Sequence, residues 1–415
     1  MTRNYYLVAL FVFALTLAVF SPSASQTAAL PALTPKGIAS LDQFLNDTVA
    51  KQELPGVVAA VVNKDQILYL KAFGKQDVAK NIQMIKDSIF RIASMTKPVT
   101  SVAIMMLVEQ GKIRLDDPVS KYLPEYKGRE VIATFLEKDG TYTTRPAKRE
   151  ITIRHLLTHT SGLGYDFTSP TVAALLKKTG KAEQDLPLLF EPGTQWLYST
   201  SPGVLGDLLK KLSGQSLEHY FKEKVFQPLQ MPDTSFYVPE EKLARLVTKH
   251  KREGAKLTET PNPAKFTAFE SGEGGLNSTA ADYAAFLQMM LHQGSLRGTR
   301  LLKPESVRQM IANQIGAVTV SEMPAVMPEL SAAFPFGAGQ DKFGLGFQIT
   351  MTEGRPRHER SAGSYTWAGI YNTHFWVDPK RGIGVIFLAQ DLPFYNATTM
   401  NLMRQFEHLI YANLQ

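Results

Sequence analysis

The chain contains no cysteine. That absence excludes disulfides, thiolate metal sites and a cysteine nucleophile together. Beyond the first 20 residues there is also no apolar run long enough to span a bilayer, which takes about 20 residues. There is no internal repeat, no low-complexity tract and no Gly-x-Ser-x-Gly elbow, the usual route to a serine nucleophile in α/β-hydrolases. Charge is modest, 20% of 415 residues, against 44% hydrophobic, which excludes a disordered chain, a collagen or a coiled coil. The formal charge of +7 is scattered. Its densest group, Lys249, His250, Lys251, Arg252 and Lys256, reads as a solvated loop, so no nucleic-acid partner is expected.

The N-terminus differs from the rest. Arg3 precedes an apolar run from Leu7 to Phe20, followed by the small residues Pro22, Ser23, Ala24 and Ser25. This is the pattern of a signal peptide over residues 1–25 cleaved after Ser25, and it predicts an exported, periplasmic or secreted protein with no membrane span after cleavage. An uncleaved anchor is the alternative.

Along the rest of the chain, Ile38, Leu41, Leu45 and Val49 predict a helix, and Gly56–Val62 and Ile67–Phe73 a hairpin across Asn63-Lys64-Asp65. Ser94 to Gly111 reads as a helix ending at glycine. From Leu115 to Asn262 the pattern is helices and proline-rich loops. Thr279–Asp282 reads as a capping box opening another helix. Phe343–Met351, Thr373–Val377 and Gly384–Ala389 read as strands, with a last helix over Thr398–Tyr411. Strands near both ends predict an α/β (α+β) fold: one antiparallel sheet flanked by helices, from residues 26–114 and 263–415, plus a mostly helical domain over 115–262. A cleft would lie between them.

The chemistry centres on Arg91-Ile92-Ala93-Ser94-Met95-Thr96-Lys97-Pro98, the one Ser-x-x-Lys in the chain. Three residues apart at a helix start, Ser94 and Lys97 share a face. A buried, neutral lysine can take the serine proton, and free N–H groups at the helix start can hold an oxyanion. The alternative is an N-cap serine beside a surface lysine. Tyr198, in Glu191–Thr200, is a second proton carrier or a packed aromatic. His155 and His159, four apart, lack a third ligand and read as structural rather than metal-binding. Gly272-Glu273-Gly274-Gly275 reads as a tight turn. The segment Gly316–Gln340 (Met323, Met327, Leu330, Phe334, Phe336) either shapes an acyl pocket or packs as a surface loop.

With these residues in hand, the sequence resembles the penicillin-recognising serine hydrolases, most nearly the class C β-lactamase-like branch that includes the family VIII carboxylesterases. The resemblance rests on RIASMTKPVTS, LDDPVSKYLPEY, LLTHTSGL, EPGTQWLYST, GEGGLNSTAADYAAF and WAGIYNTHFWVDP, in that order from about Lys36 to Asp391. It implies a class C β-lactamase-like fold, Ser94 as acylated nucleophile, Lys97 as base partner and Tyr198 as second proton carrier. It also implies Ser94 and Ile370 as backbone donors of the oxyanion hole, and neither metal nor organic cofactor. Two departures bear on the substrate. Thr200 stands where the lactamase pattern has asparagine, and Trp367-Ala368-Gly369 stands where lactamases and peptidases begin the third motif with a cation. Both favour a neutral carboxylic ester over an anionic β-lactam, unless His358 or Arg360 restores the charge. The expected partner is thus a small-molecule ester. A β-lactamase or D-amino-acid peptidase using the same serine is the first alternative, and a non-catalytic penicillin- or cell-wall-binding protein the second.

Overall fold

A computed structural model describes residues 1–2, 30–254, 256–335, 337–352 and 359–415. The signal-peptide reading falls on residues that lie outside this set, Met1 and Thr2 apart.

Every residue of strand β1 (Gly56–Asn63) is buried. That is why its sequence runs apolar without a break: both faces of the sheet are covered. Val57, Ala59 and Val61 pack in one cluster with Leu41, Leu45, Phe387 and Phe406, while Val58, Ala60 and Val62 belong to the other core. Asn63 sets the turn into β2 (Ile67–Asp77), its side-chain oxygen accepting from the backbone N–H groups of Asp65 and Gln66. The other sheet strands are β3 (Ile82–Gln83), β4 (Lys342–Phe343), β5 (Gln348–Ile349), β6 (Tyr365–Gly369), β7 (Thr373–Asp378) and β8 (Ile383–Leu388). They form one eight-stranded antiparallel sheet in the order β4-β5-β6-β7-β8-β1-β2-β3. Val58 lies opposite Leu388, so the two ends of the chain meet at the sheet centre.

Helices α1 (Pro35–Ala50), α2 (Thr96–Glu109), α3 (Ser201–Ser213), α4 (Ala280–Leu291) and α5 (Ala397–Ala412) complete the frame. Thr34 caps α1 and Asn396 caps α5, each accepting from an N–H of the first turn. These two helices cover one face of the sheet, and α2 and α4 the other. From Thr96 to Met105 every residue of α2 is buried, its polar Thr100 and Ser101 donating to the Gly272 and Lys97 carbonyls. Among the described residues, none between 115 and 262 joins the large sheet, and no helix is long and apolar enough to cross a membrane.

Four expectations are corrected. The run Phe343–Met351 is not one strand: Gly344 and Gly346 fold it back into the short pair β4 and β5. The basic stretch is not a loop: Lys249–Glu253 pairs with Lys256–Thr260 and, in parallel, with Asp391–Leu392, burying His250. The middle of the chain also holds the hairpin Glu130–Leu136/Thr141–Pro146, whose residues are largely exposed. Thr279 does cap α4, accepting from the N–H of Asp282. The reciprocal half of the box is missing, because the Asp282 carboxylate accepts from the N–H of Asp233 and the hydroxyl of Thr234 instead.

Candidate active site

Ser94 sits on a single 3-10 turn, Ala93–Met95, that feeds α2. Ala93 before it holds φ at +44°, a left-handed conformation costly for a residue with a Cβ, so the surrounding structure must impose it. Part of that structure is β6. A Cβ on Gly369 would meet the Ile92 carbonyl at 2.2 Å and the Thr373 hydroxyl at 2.4 Å, so glycine there lets the strand lie directly against the serine turn. Ile370 follows in the turn after β6. Among the described residues, the backbone N–H groups of Ser94 and Ile370 donate to no protein acceptor.

Three side chains converge. The Lys97 amine lies 3.0 Å from the Ser94 hydroxyl, and the Tyr198 phenol donates to the same oxygen at 2.6 Å. Lys97 also donates to the Glu273 carbonyl at 2.6 Å and lies over the Tyr198 and Tyr165 rings, 4.8 and 5.5 Å from their centroids. Burial lowers its pKa to about 7, with the Glu273 carboxylate pulling the other way. Burial pushes the Tyr198 phenol up, and its hydrogen bond to Ser94 opposes this only in part.

Two loops place Tyr198. The loop Glu191–Thr200 is laced to the segment around His159: Leu197 N–H donates to the His159 carbonyl, Gly193 N–H to the Thr160 carbonyl and Ser199 N–H to the His159 Nδ1. Since Nδ1 accepts, the ring proton belongs on Nε2. Burial, with Lys97 nearby, holds this imidazole well below its ordinary range, so it stays neutral. His155 instead closes a short cap, Nδ1 accepting from the Thr152 N–H. The two histidines are thus backbone acceptors, and among the described residues no group of three His, Asp or Glu is placed to hold a metal.

The turn at Gly272–Gly275 has a part that its sequence does not announce. Its Glu273 carbonyl anchors Lys97, its Gly272 carbonyl accepts from Thr100, and the Glu273 carboxylate accepts from Tyr165 at 2.7 Å. A backbone carbonyl leaves no mark in a sequence, so nothing there could have found this contact.

Ser94, Lys97, Tyr198, Trp367, Ala368 and Ile370 all line one cavity of about 500 Å³. Thr200 and Gly369 do not line it. Thr200 is buried at the start of α3, its hydroxyl without a hydrogen-bond partner among the described residues. Trp367 is 6% exposed and packs 5.1 Å from Tyr198. Arg360 does not restore a free cation: its guanidinium makes a two-pronged pair with Glu407, at 3.1 and 3.0 Å, and covers the Trp376 ring. His358 lies outside the described residues. Three other cations, Arg91, Lys249 and Arg404, line the cavity, Arg91 being held by the Val247 carbonyl and the Asn262 side chain. Phe334 and Pro335 bring the Gly316–Gln340 segment into the wall, while Phe336 lies outside the described residues.

A serine touched by a lysine and a tyrosine, between a helix start and strand β6 of a helix-flanked antiparallel sheet, defines a penicillin-recognising serine hydrolase. The chain belongs to the beta-lactamase family, whose profile matches residues 41–409. It is 33% identical over 358 residues to an uncharacterized protein of Mycobacterium tuberculosis, covering 82% of this chain and 86% of that one. Esterase EstB of Burkholderia gladioli is 28% identical over 393 residues, 85% of this chain and 90% of the esterase. A solved structure of a simvastatin synthase variant from Aspergillus terreus superposes with a TM-score of 0.78 at 26% identity, over 91% of this chain and 95% of the synthase. The protein is thus an enzyme of the β-lactamase-related type, a serine ester hydrolase or acyltransferase.

Proposed function

We propose that the protein is an exported carboxylesterase that works through an acyl-enzyme on Ser94. The observation that carries this is the Ser94 hydroxyl held between a near-neutral lysine at 3.0 Å and a phenol at 2.6 Å. The two pKa directions support a division of roles. A phenol raised by burial is a poor tyrosinate, whereas an amine lowered to about 7 is half free at neutral pH. Lys97 therefore takes the Ser94 proton as the serine oxygen attacks the ester carbonyl. Tyr198 gives its proton to the departing alkoxide and is refilled from Lys97. Water then enters and attacks the acyl carbon, losing its proton to the same pair, which returns it to the Ser94 oxygen as the acyl–oxygen bond breaks and the acid leaves. The N–H groups of Ser94 and Ile370 hold the oxyanion in both steps, and no cofactor is needed.

The ester preference rests on Trp367 in place of a cation, on the pairing of Arg360 with Glu407, and on likeness to a protein named as an esterase. Export rests on the charge, apolar and small-residue pattern of residues 1–25. Initial rates on 4-nitrophenyl butyrate and nitrocefin, measured side by side, test the reading. Ester turnover should exceed nitrocefin turnover by at least about 100-fold. Dominant nitrocefin hydrolysis would move the protein to the lactamase reading.

Acyl transfer to an alcohol is the second reading, favoured by the largely apolar walls and by likeness to an enzyme named as a synthase. Adding an alcohol acceptor and measuring how product divides between acid and new ester separates the two.

Gly369 provides a further test. Its replacement by alanine drives a methyl into the Ile92 carbonyl and moves Ile370 away from Ser94. Gly369→Ala should lower kcat about 100-fold, the effect of losing one oxyanion donor, and reduce stability by about 1–3 kcal/mol. Steady-state kinetics and thermal melting read the two effects separately.

A further inference from the structure

The cavity that holds Ser94 does not stop at the catalytic face of the sheet. Strand β5 pairs with β6 only at Tyr365 and Thr366, so the outer edge of β6 is bare from Trp367 to Gly369. The cavity follows this bare edge. Beyond the serine it is lined by Ala368, then by His374, which lies opposite Ala368 in the ladder, and then by Met400 and Met403 of α5. A row of rings marks the path: Tyr198 to Phe334 at 5.8 Å, Phe334 to Phe394 at 5.0 Å, and Phe394 stacked on His374 at 5.8 Å. The far wall is almost fully shielded from water, with His374 4%, Met400 5%, Met403 3% and Phe394 6% exposed. At its end lies the Arg360–Glu407 pair.

Resting on the acyl-enzyme reading above, we propose that this inner chamber, between β6–β7 and α5, takes the acyl chain of the substrate and selects for medium-length chains. Two facts choose the acyl group over the alcohol. The alcohol must leave and let water in before the second step, which a chamber walled by buried side chains would obstruct. The acyl group stays tethered to Ser94 until water attacks, so a chamber away from the alcohol's exit suits it.

The chamber makes Met403 a specificity-determining residue remote from the reacting atoms. In the wild-type protein, kcat/KM should rise about tenfold or more from 4-nitrophenyl acetate to the octanoate, as added methylenes leave water. Met403→Trp, which fills the chamber, should remove that gain and leave the acetate rate within about twofold. Met403→Ala should instead move the optimum toward the decanoate. The second variant also guards against a Met403→Trp protein that fails to fold. Calorimetry of octanamide with the Ser94→Ala protein reads the chamber without turnover: binding is expected, and its loss in the Ser94→Ala/Met403→Trp double variant.

The arms separate the two readings. Octanamide binding that Met403→Trp abolishes, in a protein that cleaves no ester, keeps the chamber and overturns the esterase. A flat or falling chain-length profile, unmoved by either Met403 variant and without octanamide binding, overturns the chamber and leaves the esterase standing.

Discussion

Replacing Ser94 with alanine should lower the turnover of 4-nitrophenyl butyrate by about 10⁴-fold or more, the scale on which removing a nucleophile silences a serine hydrolase. The fold should barely register the change. The serine hydroxyl is the meeting point of Lys97 and Tyr198. Its removal leaves the amine still bound to the Glu273 carbonyl and costs about 1 kcal/mol for the hydrogen bonds lost. Covalent labelling by a fluorophosphonate probe should disappear with the activity, while the thermal midpoint stays close to that of the parent. A Ser94→Ala protein that kept activity within tenfold would show that another residue is acylated.

Lys97→Met should produce two large effects of opposite benefit. Loss of the base should lower kcat/KM by about 10²–10⁴-fold, the usual span for one general acid–base group. Stability should move the other way. In the folded protein the amine pKa is lowered from 10.5 to about 7. Between these values the unfolded chain binds the proton and the folded one does not, so stability rises with pH through this window. Below about 7 both states are protonated and the cost of burying the charge is felt in full. Methionine has no such cost. The variant should therefore be more stable than wild type by about 1–3 kcal/mol near pH 6, an advantage that fades toward pH 10. Denaturant titrations at the two pH values measure it. In the wild-type enzyme the same group predicts an acid limb in kcat/KM with its midpoint near 7.

The parts of the site that were legible in the sequence share a property: their side chains act where local pattern already fixes geometry. Ser94 and Lys97 stand three apart at the start of a helix, so spacing alone brings them together. Tyr198 lies in a loop without period. Spacing left it open between a proton carrier and a packed aromatic, and the fold resolves its position through backbone bonds to the segment around His159. The Glu273 carbonyl was out of reach of any sequence argument. In the fold, the buried strands β1, β7 and β8 could be read because both of their faces are covered. The hairpin at Glu130–Pro146 was missed because exposed strands carry no such run. The glycines at 344 and 346 broke a run whose composition read as one strand. Arg360 shows the remaining difficulty: its proximity in sequence to the third motif suggested a substrate cation, and a glutamate 47 positions away takes its charge.

The pairing of Val58 with Leu388 also governs when the enzyme can first work. On a ribosome the serine turn is made early, but the strand that lies against it and the N–H of Ile370 arrive some 275 residues later. Until residues 365–388 emerge, β1 has a neighbour on one side only and the Ala93 turn lacks the strand that lies against it. Contacts so distant along the chain are slow to close. Chains truncated before Ile383 should therefore lack enzymatic activity, since they lose the strand that joins the two ends.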